Sequence, residues 1–597
     1  MAPAVGASPV TDSRPNIIVF YLDDVAPHDG RLWNDPARTP AIYHTFVEHG
    51  IRFSNAYGEE SLCCPARASV LTGLHSHNNG VTTNDARMYS PKESIASELK
   101  GAGYTTMWIG KYMNLNKALS SSAWDAHIAP WSVFDGIYSN NADYYDYDLR
   151  TKDSGIIHYD DYHSTQMVTD RTRMRLAAAP ADKPIFAMLS IYNLHGPNLP
   201  VPQPQEKLDL CNGLAPWWTP AYNEADVSDK PDYIKALPLL PDTDGWPMEG
   251  YCHEMFGIDT LVERVTDELD AEGRLNNTLL IFTADNGMTW GAHRKLQQKN
   301  VPYSTQIPLY MAWPDRWGTT ARTVADYVSN IDFAPTFCAI GGCTLGPYPS
   351  GQSGPDGVSL LSMIDNGTAL GRDALLESAL LGDIWKGIPA WAAVRTTPPN
   401  PLGLWHYVEY VDGERELYDL VNDPYELANL AGHSAQASIQ AALAQRLAEL
   451  LDEGRVNRPD VSLWGSIRRD YAGYNMFDST LAPRQTLTVL LKPAQTYKLH
   501  VDLRNNALAA DSFTIRASIN SPRATMIWTL DGVDVTSQMA SGGLQINSLT
   551  GGATRLLKLQ VKTKKRFPLG SRVRIDIYVV SNTFPGRDDH AAFIVRR

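Results

Sequence analysis

The sequence predicts an α/β protein: a large layered α/β/α domain, a small α+β subdomain after it, and a separate β-sandwich at the C-terminal end. Three observations carry this. Apolar, β-branched runs end in polar residues, helical stretches alternate with those runs, and after about residue 480 the pattern switches to period-two strands.

The elements follow in order. PNIIVFYLDD (15–24) starts after a proline, is apolar without alternation and ends in two carboxylates, as a strand buried on both faces of a parallel sheet does. TPAIYHTFVEHGIRFSNAY predicts a helix stopped near Gly50 and a short strand. IASELKGAGYTTMWIGKY repeats helix and strand with Gly103 as the breaker, and KPIFAMLSIYNLHGP (183–197) is a further buried strand with a polar end. In IDTLVERVTDELDAEGRLNNTLLIFTADNG (258–287), Ile258, Leu261, Val262, Val265 and Leu269 share one helical face. A turn at Asn276 and Asn277 then leads into the strand TLLIFTA. GLWHYVEYVDGERELYDLVNDPYELANL (403–430) predicts a hairpin around Asp412–Gly413, then a turn and a helix. Beyond Thr480, TLTVLLK, YKLHVDL, FTIRASI, RLLKLQVK and RVRIDIYVV alternate at sandwich-like spacing.

Composition narrows the class. Of 597 residues, 43% are hydrophobic and 20% charged, with material for a large core. No apolar run reaches the roughly eighteen residues of a membrane span. Net charge is −14, yet residues 480–597 hold 17 Lys and Arg against 7 Asp and Glu, a net +10 that leaves −24 for the rest. So acidic a chain is a poor partner for nucleic acid, whereas Lys562, Lys564, Lys565 and Arg566 could hold a polyanionic glycan. The N-terminal MAPAVGASPVTDSRP lacks the apolar core of a secretory signal and reads as the start of a mature exported chain, secreted or periplasmic. Cys338 with Cys343, and Cys211 with Cys252, would suit two disulfides in an oxidising compartment; six free thiols in a cytosolic protein is the other reading.

Chemistry collects at strand ends, where α/β sheets bind ligands. Asp23 and Asp24 close one strand, Asp285 and Asn286 another. Either pair alone could form a turn; two pairs at equivalent places suit a hard cation, Ca²⁺ or Mg²⁺. The third feature is SLCCPARASVLTG (61–73). Adjacent cysteines are poorly placed to bridge each other. Pro65 suits a first helical turn, Ala66 to Thr72 a helix, and Gly73 its stop. Cys63 then lies just before a helix N-terminus that favours an anion, with Arg67 able to turn back and hold it bidentately.

At these residues the chain resembles the type I sulfatases, of the alkaline-phosphatase-like superfamily. CCPARASVLTG is similar to their signature, RPNIIVFYLDD to their metal-binding strand, GYTTMWIGKY to their lysine segment, FTADNG to their second metal pair, and ELYDLVNDPYELANL to their C-terminal subdomain. The resemblance covers about residues 14–435. It implies a catalytic domain over 14–345 and its subdomain over 346–460, with the basic sandwich (480–597) outside it. The doubled cysteine, GKYMN, NADYYDYDL and LTGLHSHNNGV look most like the N-acetylglucosamine-6-sulfatase branch.

The resemblance implies hydrolysis of sulfate monoesters, of a sulfated sugar or an aryl alcohol. A formylglycine-generating enzyme converts Cys63 to formylglycine, and one oxygen of its hydrate attacks sulfur. Asp23, Asp24, Asp285 and Asn286, with residue 63, hold Ca²⁺ or Mg²⁺. Arg67, Lys111 and Lys299 neutralise sulfonyl charge. His195 in YNLHGPN is the candidate acid for the leaving alkoxide. His293, Asn114 and Asp146, the last in the tyrosine-rich YYDYDL, are substrate-binding candidates. Many sulfatases carry a histidine two residues after the lysine; here that place is Met113, and the second base is unassigned. Two other readings are a phosphonate monoester or phosphodiester hydrolase using the same nucleophile, and an inactive glycan-binding protein.

Overall fold

Parallel strands need crossovers that cover both faces of their sheet, and the chain builds that arrangement. A computed structural model describes residues 12–139, 143–196, 199–348, 352–383, 386–452, 459–464, 486–490, 492–505, 511–518, 520–549, 553–565, 568, 570–582 and 588–596. They form two compact units, one of residues 1–346 with 354–447, the other of 347–353 with 448–597. Arg566, named above among the glycan-holding residues, and the start of the 480–597 domain lie outside the described residues.

The first unit is built on ten strands: β1 (Asn16–Leu22), β2 (Ile51–Tyr57), β3 (Thr105–Lys111), β4 (Val133–Tyr138), β5 (Tyr147–Thr151), β6 (Gly155–Tyr159), β7 (Ile185–Ser190), β8 (Thr278–Ala284), β9 (Leu309–Ala312) and β10 (Arg322–Ser329). Their order across the sheet is β10-β2-β9-β8-β1-β7-β3-β4-β5-β6. The five central neighbours, β8 to β4, run parallel. β1, β3, β7 and β8 are buried throughout, as their unbroken apolar runs require.

Alternation along β1 separates the two faces. Ile18, Phe20 and Leu22 enter a core shared with Met167 and Leu176 of the Ser164–Ala177 helix and with Ile258, Leu261, Val262, Val265 and Leu269 of the Glu249–Ala271 helix. Tyr21 points the other way, where its ring lies 5.1 Å from the Arg67 guanidinium. Phe186 of β7 meets Phe337 of the Phe333–Gly341 helix on that face, at 5.5 Å. A four-stranded antiparallel sheet, β11 (Ala374–Ala379), β12 (Trp391–Thr396), β13 (Trp405–Tyr410) and β14 (Arg415–Asp419), completes the unit.

The second unit is the expected β-sandwich, a six-stranded and a five-stranded sheet around Leu499, Val501, Leu559, Val561, Ile575, Ile577 and Phe593. Both anticipated disulfides form, Cys211–Cys252 and Cys338–Cys343, while Cys63 and Cys64 are buried free thiols. Among the described residues no helix is long and apolar enough to cross a membrane.

Three local expectations are corrected. The helix after Pro40 is α-helical only to Ile42 and continues as a π-helix over Tyr43–Glu48, a stretch rich in aromatic and β-branched residues that crowd an α-turn. Cys63 does not precede its helix but is the first helical residue of Cys63–Thr72, with Leu62 as N-cap. No helix follows the Asp412–Gly413 hairpin directly. There the Asp423 carboxylate accepts from the N–H groups of Leu427 and Ala428, holding a turn, and the next long helix starts at Ala437.

Gly110 sits where β3 packs against β7, at φ 105°, with the Ser190 carbonyl in the space a Cβ would need. Gly110→Ala is expected to cost more than ~2 kcal/mol in denaturant melts, since neither strand backbone can yield. Gly101→Ala, in a helix with open space around it, should be neutral or slightly stabilising.

Candidate active site

The register of the parallel strands places the predicted residues on one edge. Leu22 stands opposite Ala284, Tyr21 opposite Ser190, and Gly110 opposite Ser190. The residues that follow, Asp23, Asp285 and Lys111, therefore emerge together at the carboxyl ends of β1, β8 and β3. Asp24 turns the chain in the left-handed region (φ 59°), which Asp tolerates, and donates its N–H to Asp285 Oδ1 at 3.1 Å. The Asn286 N–H reaches the same oxygen at 2.8 Å, and Asn286 Nδ2 donates to Asp24 Oδ1 at 2.7 Å.

Three cations face these three carboxylates. Lys111 Nζ donates to Asp23 Oδ2. Lys299 Nζ donates to both Asp24 oxygens, at 2.6 and 2.8 Å. Arg67 gives Nε and Nη2 to Asp285 Oδ2 at 3.2 and 2.8 Å, and Nη1 to Ser190 Oγ at 2.6 Å and the Lys111 carbonyl at 3.1 Å. Arg67 thus does not reach back to clasp an anion at Cys63, as its position one turn into the helix suggests; the buried guanidinium is committed to Asp285. Cys63 Sγ lies 3.0 Å from Lys299 Nζ, 3.5 Å from Lys111 Nζ and 3.7 Å from Asp23 Oδ1.

The electrostatics follow from burial and pairing. Burial, the largest single influence, pushes the Asp23 carboxyl up, but Lys111, His195 and Arg67 together hold it below the usual range; for Asp24 burial is likewise outweighed by Lys299, His195 and Lys111 together. Burial, reinforced by Asp23, leaves the Asp285 carboxyl raised. Burial also raises the Cys63 thiol, against the pull of Lys111 and Lys299.

The donor set fits a hard cation. Asp23 and Asp285 offer carboxylate oxygens within 4.8 Å of each other and of the Cys63 sulfur, and it is the oxygens, not the soft thiol, that suit such an ion. Asn286 Oδ1 is fully buried without a hydrogen-bond partner, a cost of about 1–3 kcal/mol that a bound cation would remove.

His195 joins this group. Its Nε2 lies 3.4 Å from Asp24 Oδ2, and its Nδ1 lies 2.8 Å from the Gly196 carbonyl, which can only accept, and 3.0 Å from the Tyr192 hydroxyl; a proton on Nδ1 suits both. The side chain is 30% exposed, so Nε2 can meet a ligand. Asn114 belongs to the wall beside the site, its N–H 3.0 Å from Cys64 Sγ, in a small cleft lined also by Lys111, Tyr112, Met113 and Asn116.

The structure does not bring the other two candidates into the cluster. His293 is buried, with Nδ1 2.7 Å from Glu224 and its ring 4.1 Å from that of Tyr303. Asp146 is 85% exposed and, with Asp148 and Asp160, surrounds His158. Sequence reasoning missed Ser190 and Tyr21, which anchor Arg67; a serine and a tyrosine inside apolar strands carry no signal of that role. It also missed Asn84, whose Oδ1 accepts the Cys64 N–H at 2.9 Å.

Comparison with known proteins follows the same residues. A family model described as Sulfatase matches residues 15–343, more than half the chain, and one described as N-sulphoglucosamine sulphohydrolase, C-terminal, matches residues 292–453. An arylsulfatase of Volvox carteri is 27% identical over 562 residues, covering 83% of this chain and 84% of its own. An N-acetylglucosamine-6-O-sulfatase of Bacteroides thetaiotaomicron is 24% identical over 522 residues, covering 75% of this chain and 88% of its own. Among solved structures, one in complex with its substrate D-glucosamine-2-N,6-O-disulfate superposes with TM-score 0.60 and 22% identity, over 74% of this chain and 98% of that one.

A cation on the orphaned Asn286 oxygen should stabilise the folded chain. Millimolar calcium is expected to raise the thermal midpoint of chelator-stripped protein, by an amount equivalent to ~2–3 kcal/mol at a hundredfold excess over Kd. Asn286→Ala should abolish most of that rise; an undiminished shift in this variant would place the cation elsewhere.

Proposed function

The chain belongs to the sulfatase family, and from that membership we propose that it hydrolyses sulfate monoesters of a sugar, with an O-sulfated glucosamine as the first substrate to try. The observation that carries this reading is Cys63 Sγ at 3.0–3.7 Å from Lys299, Lys111 and Asp23, at the edge where three carboxylates converge. The names of its relatives, an arylsulfatase and an N-acetylglucosamine-6-O-sulfatase, support the substrate class.

In this reading Cys63 is oxidised to formylglycine by a formylglycine-generating enzyme, and its hydrate supplies the oxygen nucleophile. Asp23, Asp24, Asp285 and Asn286 would hold a divalent ion, Ca²⁺ first and Mg²⁺ second, which would supply Lewis-acid polarisation of the sulfate.

The chain's own side chains do the rest. Lys111 and Lys299 flank position 63 and stabilise negative charge on sulfonyl oxygens in a buried setting, where such contacts are strong. Arg67 acts through Asp285, orienting that carboxylate by two N–H donors while Ser190 and the Lys111 carbonyl hold the guanidinium. His195 acts with both ring nitrogens protonated: Nδ1–H stays on the Gly196 carbonyl, and the second proton, on Nε2 beside Asp24, passes to the departing alkoxide and leaves the ring neutral. Two disulfides support export to an oxidising compartment.

Mass spectrometry of the tryptic peptide Phe53–Arg67 from natively produced protein tests the nucleophile: the aldehyde or its hydrate is expected at position 63, and an unmodified thiol throughout would sink the proposal. A substrate panel tests the ester. Sulfate esters should be turned over in preference to phenyl phosphonate; the opposite ranking would favour a phosphonate monoester hydrolase, the activity of an Agrobacterium radiobacter enzyme of the same fold (TM-score 0.54, 20% identity).

His195→Ala separates the acid's role from general damage. Turnover of a sugar sulfate, whose alkoxide needs a proton, should fall by ~10²–10⁴-fold. Turnover of p-nitrophenyl sulfate, whose phenolate leaves unaided, should fall far less, and equal losses would remove His195 from that role.

A further inference from the structure

The six-stranded sheet of the C-terminal unit has one face in the core and one in water. Leu499, Val501, Leu557, Leu559 and Val561 fill the inner face. Between them, residues of Thr496–Asn505, Thr554–Thr563 and Ala524–Leu530 point outward, and the exposed ones include Lys498, Lys558, Lys562, Thr525 and Ile527.

Register sets these lysines in a pattern. Lys498 stands opposite Gln560, so Lys558 and Lys562, two residues either side, are its diagonal neighbours at ~7–8 Å. Lys558 and Lys562 lie four residues apart on one strand, ~13 Å along the sheet. On the next strand Thr529 stands opposite Lys558, Ile527 opposite Gln560 and Thr525 opposite Lys562. Among the described residues no hydrogen bond or ion pair engages the ammonium group of any of the three lysines. Of the neighbouring acids, Asp531 is paired with Arg555 at 3.1 Å, and Asp502 shares the outward face, diagonal to Lys558.

Three lysines with a single carboxylate, Asp502, diagonal to one of them leave this open face net positive, and it gains from a partner that brings several negative charges at regular spacing. The hydroxyls of Thr525 and Thr529 and the amide of Gln560 stand among them, suited to sugar hydroxyls. The rest of the chain, at −24, would repel a polyanion, so this unit, at +10 over residues 480–597, is where one would be held.

We propose that the outer face around Lys498, Lys558 and Lys562 is a binding surface for a sulfated polysaccharide. This rests on the reading of the chain as acting on a sulfated glycan, and gives that glycan a second attachment besides the ester being cleaved.

The test titrates full-length protein with heparin and with unsulfated hyaluronan in 0.1 M salt. Heparin should bind, hyaluronan much more weakly, and the heparin affinity should fall steeply with salt. The triple variant Lys498→Ala, Lys558→Ala, Lys562→Ala should lose at least tenfold in heparin affinity, and the corresponding Lys→Gln set the same. A charge-matched triple on the same unit, Arg516→Ala, Arg555→Ala, Arg572→Ala, should lose less than threefold. Turnover of p-nitrophenyl sulfate should be unchanged in all three.

Equal losses in the lysine and arginine sets would reduce the effect to net charge and overturn the proposal. So would binding to phosphatidylserine vesicles without binding to heparin, or no heparin binding by the parent chain. Because binding is read without turnover, an inactive protein that still distinguishes the two sets sinks the catalytic reading and leaves this surface standing.

Discussion

The catalytic unit depends on one electrostatic arrangement: three carboxylates, Asp23, Asp24 and Asp285, buried at the end of a parallel sheet and matched by Arg67, Lys111 and Lys299. An ion taken out of water costs several kcal/mol unless a close partner compensates it. Each cation comes from a different element, so those elements must dock together. The helix from Cys63 brings Arg67, β3 brings Lys111, and the segment after β8 brings Lys299. Cys63 comes into place with Arg67, four residues earlier on the same helix, and the thiol is surrounded by charges assembled for the carboxylates. Stability of this edge and the chemistry proposed for it have the same origin.

The small antiparallel sheet serves the same edge from outside. The Asn300 N–H donates to the Ser61 carbonyl at 2.8 Å, and the indole of Trp391 on β12 donates to the Asn300 carbonyl at 3.1 Å. Val301 packs in a cluster with Trp391 and Ala393, and Thr305 Oγ1 donates to Glu377 on β11 at 2.7 Å. Lys299 is therefore suspended between the residues preceding Cys63 and the second sheet. His293 contributes here as a buried partner of Glu224 and Tyr303, which explains its separation from the carboxylate cluster.

The segment carrying His195 is supported from below. Tyr144 OH donates to the His195 carbonyl at 2.6 Å and lies 3.3 Å from Glu254, which also accepts from Asn193 Nδ2 at 2.9 Å. Burial pushes the Glu254 carboxyl up to about 8, so it is protonated at neutral pH and adds no charge beside a balanced ionic edge. Tyr144 comes from the tyrosine-rich tract whose Asp146 was a substrate candidate; in the fold this buried tyrosine, not the exposed aspartate, connects to the site.

Much of this was legible in the residues. Continuous apolar runs announced β1, β3, β7 and β8 because a strand buried on both faces has no polar positions to spare, and polar residues at their ends marked the carboxyl edge. Asp23, Asp24, Asp285, Asn286, Cys63 and Lys111 could be chosen on that ground together with the resemblance of the CCPARASVLTG stretch. The period-two pattern announced the sandwich for the complementary reason, one wet face and one dry. What the chain alone left open was every relation set by docking: that Arg67 spends its donors on Asp285 and Ser190, that Lys299 reaches Asp24, and that His293 and Asp146 turn to other partners. Such relations depend on which elements meet and in what register; Arg67 and Asp285, or Lys299 and Asp24, more than two hundred positions apart, have no local signature of meeting. Local pattern determined which side chains stand at strand ends; the balance of buried charge, a property only of the assembled sheet, decided which of them act together.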